Sequence, residues 1–205
     1  MISYKISNYN KSNKHILEIV GRLEDGLLSL FLSSVQKVLM NSLKNMDETK
    51  LIFDASNLES LESVLKKGVL TYDQSLCMIG CLSKQLLFLN ERNISWVGLG
   101  LSDILVLNDL SLFVVASPAH LHYICKNRTT ITFEMPFCKP TFISPLVERV
   151  DSIPSSVTCV VDRCSLAKIV IHSMGIIDLE TIHGTKMYWF LKRCLEHYEG
   201  RMILI

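Results

Sequence analysis

Residues 51–109 constrain this chain most, because strand, turn, helix and loop patterns follow one another there with little room to rearrange. The stretch opens LIFDASNLESLESVLKKG and closes NISWVGLGLSDILVLND. Residues 51–53 are apolar and read as a short buried strand, and Asp54-Ala55-Ser56-Asn57 has turn composition. Leu58, Leu61 and Leu65 then recur at helical spacing, and Gly68 stands where a helix over 58–67 would end. A long helix is predicted over 72–92 from Leu76, Ile79, Leu82, Leu86 and Leu89. Residues 94–101 read as a loop carrying Gly98 and Gly100. Residues 104–107 and 112–115 read as strands joined by the turn Asn108-Asp109-Leu110-Ser111.

The flanks are simpler. Strand candidates at 4–6 and 15–20, separated by a polar turn, predict a small hairpin. Asp25 is placed to cap a helix, since Leu27, Leu30, Phe31, Val35, Val38, Leu39 and Leu43 repeat at helical spacing over the next five turns. After Pro118 the patterning weakens until Val157, and Pro136, Pro140, Pro145 and Pro154 confine the chain to irregular or extended forms. A buried helix is expected over 164–174. An amphipathic helix is expected over 185–199, with Met187, Phe190, Leu191, Cys194 and Leu195 on one side.

This order resembles that of a eukaryotic-type protein kinase from about residue 51 to the C-terminus. Residues 51–65 resemble the last strand of the small lobe, the hinge and the first large-lobe helix. Residues 72–90 resemble the long helix before the catalytic loop, and Ile104-Leu105-Val106 the strand after it. Phe142-Ile143-Ser144-Pro145 stands where A-P-E closes the activation segment, and Asp162-Arg163-Cys164-Ser165-Leu166-Ala167 is similar to the D-x-W-S-x-G start of the central buried helix. Residues 185–201 resemble a late helix followed by the family's arginine, here Arg201. The resemblance implies an α+β, protein-kinase-like fold. Residues 1–56 would form a reduced N-terminal lobe with a small antiparallel sheet and one helix. Residues 57–205 would form a mainly helical C-terminal lobe, the two making one compact unit. An eroded kinase pattern with a compact small lobe is similar to kinase-like proteins of large DNA viruses.

The departures from the family pattern bear on function. A kinase catalytic loop supplies an Asp to the substrate hydroxyl and an Asn to magnesium, a Lys contacts phosphates, and a D-F-G Asp holds metal. Aligning Asp103-Ile104-Leu105-Val106 on the family's N-I-L-V puts Trp96-Val97-Gly98 at H-R-D, so the base position falls on Gly98. Gly100 takes the loop lysine's place, Asp103 the asparagine's, and Ala116-Ser117-Pro118 that of D-F-G. Upstream, Gly21 and Gly26 form no G-x-G-x-x-G, residues 15–20 carry Glu18 but no lysine, and residues 26–46 contain no glutamate. The expectation is therefore a chain that is not an enzyme, with no catalytic residue, cofactor or metal. It would be a pseudokinase acting as a protein-interaction or scaffolding module. Asp162, Pro145 and Arg201 are expected in structural roles, with Asp162 accepting backbone N–H groups near Trp96 and Leu146 breaking the usual pair to Arg201 unless Glu148 substitutes. Two alternatives stand beside this reading. One is a divergent phosphotransferase using Asp103 and Asp109, and the other a small α/β regulatory module built on LIFDASNLESLES.

Charge and composition narrow the partners. A net charge of +1 without a block of like charges argues against nucleic acid and leaves a protein partner as the expectation. Mean hydropathy is high at +0.31, yet no run of about 18 apolar residues is uninterrupted, so direct membrane insertion is not expected. Seven cysteines without a C-x-x-C pair, and an N-terminus without an apolar signal core, fit a reducing, intracellular setting. His120, His122 and Cys125 have the residue types of a zinc site without an evident fourth ligand, Cys77 and Cys81 read as small buried residues sharing a helix face, and Cys164 and Cys194 likewise read as core residues. Nothing local supports a nucleophile from Cys138 or Cys159 with His172 or His183. Tyr188 and Trp189 are candidates for an exposed aromatic anchor. Lys66 and Lys67 are explained by their place at a helix end.

Overall fold

The computed structural model describes residues 2–8, 13–47, 49–125 and 129–196. Strands β1 (Ser3–Asn8) and β2 (Lys14–Val20) form the expected hairpin. Helix α1 spans Asp25–Leu39 with Glu24 as its N-cap residue, and buries Phe31, Leu32, Val35 and Val38. The helix stops sooner than its stripe suggests. Met40 has φ of 33°, and the chain re-enters the sheet as β3 (Leu43–Met46). Strand β4 (Lys50–Asp54) completes an antiparallel sheet ordered β1-β2-β4-β3, in which Leu17 faces Leu51 and Glu18 pairs with Lys50 at 3.0 Å.

The helix expected over 58–67 divides. Residues Leu58–Ser60 extend as β5, because they pair with a later strand, and the Ser60 hydroxyl then caps the short helix α2 (Leu61–Leu65). Helix α3 (Tyr72–Asn90) starts in a capping box made by Thr71 and Gln74. The stretch 94–101 is more ordered than a loop: β6 (Ile94–Trp96) and β7 (Gly98–Leu99) are short, fully buried strands. Strands β8 (Ile104–Leu107) and β9 (Leu112–Val115) form the predicted hairpin, and β5 adds to its edge to give the order β5-β8-β9.

Beyond Pro118 the chain uses short pairings that sequence periodicity does not signal. Strand β10 (Leu121–Tyr123) pairs with β6, β11 (Thr130–Phe133) with β13 (Ser155–Thr158), and β12 (Phe142–Ile143) with β7. The four-residue helix α4 (Pro145–Glu148) has Pro145 in its first turn, where a missing N–H costs nothing. Helix α5 (Val161–Ser173) is buried on nearly all sides and packs against α3, β7, β12 and the last described helix, α6 (Lys186–Leu195). A single hydrophobic cluster runs from Leu17 in the first sheet through Phe113 and Ile169 to Leu191.

Candidate functional site

The residues that carry the expected departures meet at the ends of β7, β8 and β9. Gly98 sits in β7 opposite Ile143 of β12. A Cβ at this position would overlap the Ile143 Cγ2 methyl and lie 2.5 Å from Pro140 Cγ and 2.9 Å from the Phe142 carbonyl oxygen. The volume that an aspartate side chain would need is therefore filled by residues 140–143. Lys168 of α5 fastens this crossing by donating from Nζ to the Ile143 carbonyl at 2.7 Å.

Asp103 ends a short 3₁₀ turn, and its Oδ2 accepts the Gly100 backbone N–H at 2.6 Å. A side chain on Gly100 would crowd that oxygen at 3.0 Å, so the two positions are coupled. The Asp103 carbonyl in turn accepts the Ala116 N–H at 2.8 Å, which places side by side the two residues that the resemblance aligns with the loop asparagine and with D-F-G. His120 Nε2 lies 3.8 Å from Asp103 Oδ2. Burial lowers the His120 pKa, and the nearby carboxylate offsets part of that shift. Tyr4 of β1 reaches over and donates its hydroxyl to the Ser102 carbonyl, so the first sheet touches the same loop. Asp109 stands at the opposite end of β8 from Asp103. At about 3.3 Å per strand residue, the two carboxylates do not share a ligand.

Asp162 lies in the first turn of α5 and is 2% exposed. Its Oδ2 accepts the Ser95 hydroxyl at 2.7 Å and the Asn90 amide at 3.2 Å, and its Oδ1 accepts the Arg163 N–H at 2.6 Å. The partners next to Trp96 are thus side chains of the preceding strand and helix rather than loop N–H groups. Burial raises the Asp162 pKa, and these hydrogen bonds oppose the rise. Arg201 lies outside the described residues, and Glu148 is exposed.

The remaining candidates separate. His122 packs edge-on against Phe133 and Phe137, and Cys125 shares a hydrogen bond with Thr132, so neither joins His120 around a common point. Among the described residues no three His, Cys, Asp or Glu side chains gather as a metal site. Cys77 donates to the Ser111 carbonyl, and its pKa is pushed up to about 11 by burial and by Cys81. His172 lies against Phe142, and His183 against Tyr188 and Trp189. Tyr188 is buried and bonded to Glu180, which leaves Trp189, 47% exposed, as the aromatic available to a partner. Sequence reasoning passed over Gln85. Its amide donates to the Ser34 hydroxyl and to the Val115 carbonyl while accepting the Val115 N–H at 2.9 Å, tying α1, α3 and β9 together. The available signal was a glutamine within the apolar register of α3.

No family model and no curated protein matches the chain. Among solved structures it is similar to the kinase PK-1 of Cydia pomonella granulovirus, with a TM-score of 0.50 and 16% identity over 83% of this chain and 68% of that one. The fold is kinase-like. The likeness to a viral kinase also overturns the expectation that the chain is not an enzyme. The fold is one that a kinase uses, and the exclusion rested only on side chains at aligned positions. Among the described residues no helix is long and apolar enough to cross a membrane.

Proposed function

We propose that the chain uses its kinase-like frame as a protein-interaction module, with the sheet around α1 as the counterpart of a reduced small lobe. The observation that carries this reading is the packing of residues 140–143 over Gly98. It commits the centre of the kinase-like frame to internal contacts and leaves the outer surfaces for recognition. Exposed Trp189, flanked by His183 and by the Lys192 ammonium 5.8 Å from its ring, supports the same reading, since tryptophan is enriched among residues that anchor interfaces. The test is reconstitution from purified components. A partner isolated from the native source should bind the purified chain, and Trp189→Ala should weaken the complex by tenfold or more, on the order of 1.4 kcal/mol. Failure of every isolated candidate to bind the purified chain would remove the reading.

A second reading, a divergent phosphotransferase, has the Asp103–His120 pair in its favour. A carboxylate beside an imidazole next to the Ala116 position is an arrangement able to take up a proton. Magnesium-ATP should then raise the melting temperature of the wild type and not that of Asp103→Asn or His120→Gln. An unchanged melting temperature in the wild type would reject it.

A further inference from the structure

Helix α6 divides into a buried side and an exposed one. Met187, Tyr188, Leu191 and Cys194 are buried, while Lys186, Trp189 and Arg193 are exposed. At about 100° and 1.5 Å per residue, these three fall within roughly 60° of arc, with Lys186 and Arg193 about 10 Å apart along the axis. The outward face is one aromatic ring between two cations.

That ring is supported from beneath. Tyr188 donates its hydroxyl to Glu180 Oε1 at 2.7 Å and accepts from Lys192 Nζ at 3.2 Å, which fixes the phenol. Trp189 stands edge-on to it with centroids 5.0 Å apart, and the His183 ring and the Lys192 ammonium each lie 5.8 Å from the indole. A side chain already ordered in the free protein loses little conformational freedom when a partner covers it.

The cations around the ring differ in what faces them. Lys192 has Glu180 and Glu196 as electrostatic neighbours. Lys186 and Arg193 have no carboxylate within ion-pair distance among the described residues. Lys186 also stands in the first turn of α6, which contains no acidic residue, and a cation there opposes the positive end of the helix dipole. A carboxylate brought to Lys186 from outside is attracted by the ammonium and by the helix end together.

We propose that this face of α6 binds an acidic segment of a partner protein. An apolar side chain of the segment covers Trp189, and carboxylates on either side of it meet Lys186 and Arg193. In an extended segment rising about 3.3 Å per residue, those carboxylates stand three positions apart. The proposal rests on the reading of Trp189 as a partner anchor and names the chemistry of what it meets. Charge complementarity argues for an acidic occupant. An anionic membrane surface is served by a helix that turns a broad apolar face outward, whereas α6 buries its apolar face in the core and presents a single ring.

The test is a titration of the full chain with a synthetic peptide carrying two glutamates three positions apart around two leucines, followed by the two indole N–H signals. The Trp189 signal should shift saturably, and that of Trp96, which is buried, should not. Affinity should fall by about fivefold in Lys186→Gln and in Arg193→Gln, and in wild type as salt is raised. The double variant Lys186→Glu with Arg193→Glu should prefer a peptide with lysines in place of the glutamates. Both substitutions are at exposed positions. Equal affinity of wild type for the glutamate and lysine peptides would overturn the proposal, as would the absence of a saturable Trp189 shift. So would a Trp189 shift produced by phosphatidylserine vesicles and not by the peptide, or one that follows protein concentration alone and so reports a second copy of the chain. A native partner weakened by Trp189→Ala but not by the double variant would leave the anchor reading standing and remove the acidic segment from it.

Discussion

At Gly98 a single absent side chain decides the local packing. A methyl group there meets a proline ring, an isoleucine methyl and a backbone carbonyl, and of these only the isoleucine can turn aside without moving the chain. Gly98→Ala should therefore destabilise the protein by about 1–3 kcal/mol, as overpacking does, lowering the melting temperature by roughly 3–10 °C. Melting within a degree of wild type would show that residues 140–143 do not press on this position. The sequence identified Gly98 through its place before Asp103-Ile104-Leu105-Val106 but gave no sign of what lay over it. The covering residues belong to a proline-rich stretch without periodicity, and only a long-range pairing brings them there. Gln85 was missed for a related reason: a polar residue on an apolar helix stripe looks like noise until its two backbone partners on Val115 are in place.

At the scale of elements, α5 and β10 each bury an ionisable group, and the two respond to pH with opposite sign. Asp162, in the first turn of α5, has its pKa raised by burial, so the folded protein holds this proton to higher pH than the unfolded chain does. Its ionisation therefore removes stability as pH rises above about 4. Asp162→Asn should flatten that slope. Asp162→Ala should cost about 2–4 kcal/mol, because the Ser95 hydroxyl and the Asn90 amide lose their acceptor. Near-wild-type melting of the alanine variant would remove Asp162 from the central framework. His122 behaves conversely. Burial and the neighbouring His120 lower its pKa to about 4, so the unfolded chain binds the proton first and stability is lost as pH falls from about 6.5 towards 4. Chemical denaturation across that interval should show a smaller loss in His122→Gln, and an identical slope in the two proteins would refute the assignment. Elements with a strong period, such as α3, β8 and β9, were readable in the sequence. Those made by pairing, such as β5, β7 and β12, were not, because a two- or three-residue strand is defined by its partner rather than by its own pattern.

Across the whole molecule, the hydrophobic cluster that joins Leu17 and Phe53 to Leu105, Ile169 and Leu191 makes the sheet and the helical part share one interior. Calorimetry should accordingly record one unfolding transition, with calorimetric and van't Hoff enthalpies in agreement, and two separated transitions would contradict a shared core. The order of elements was legible from pattern and spacing because it depends on strand and helix sequence along the chain, and its kinase-like character came from the resemblance of that order to a known family. Activity was not, because it depends on which groups meet. The pairing of residues 98–99 with 142–143 also bears on how sequences of this kind can change over generations. Gly98 cannot accept a side chain until Pro140 and Ile143 yield, and those residues hold their places partly through Gly98. The three positions should therefore vary together or not at all, so no single substitution places an aspartate at position 98 without displacing its neighbours.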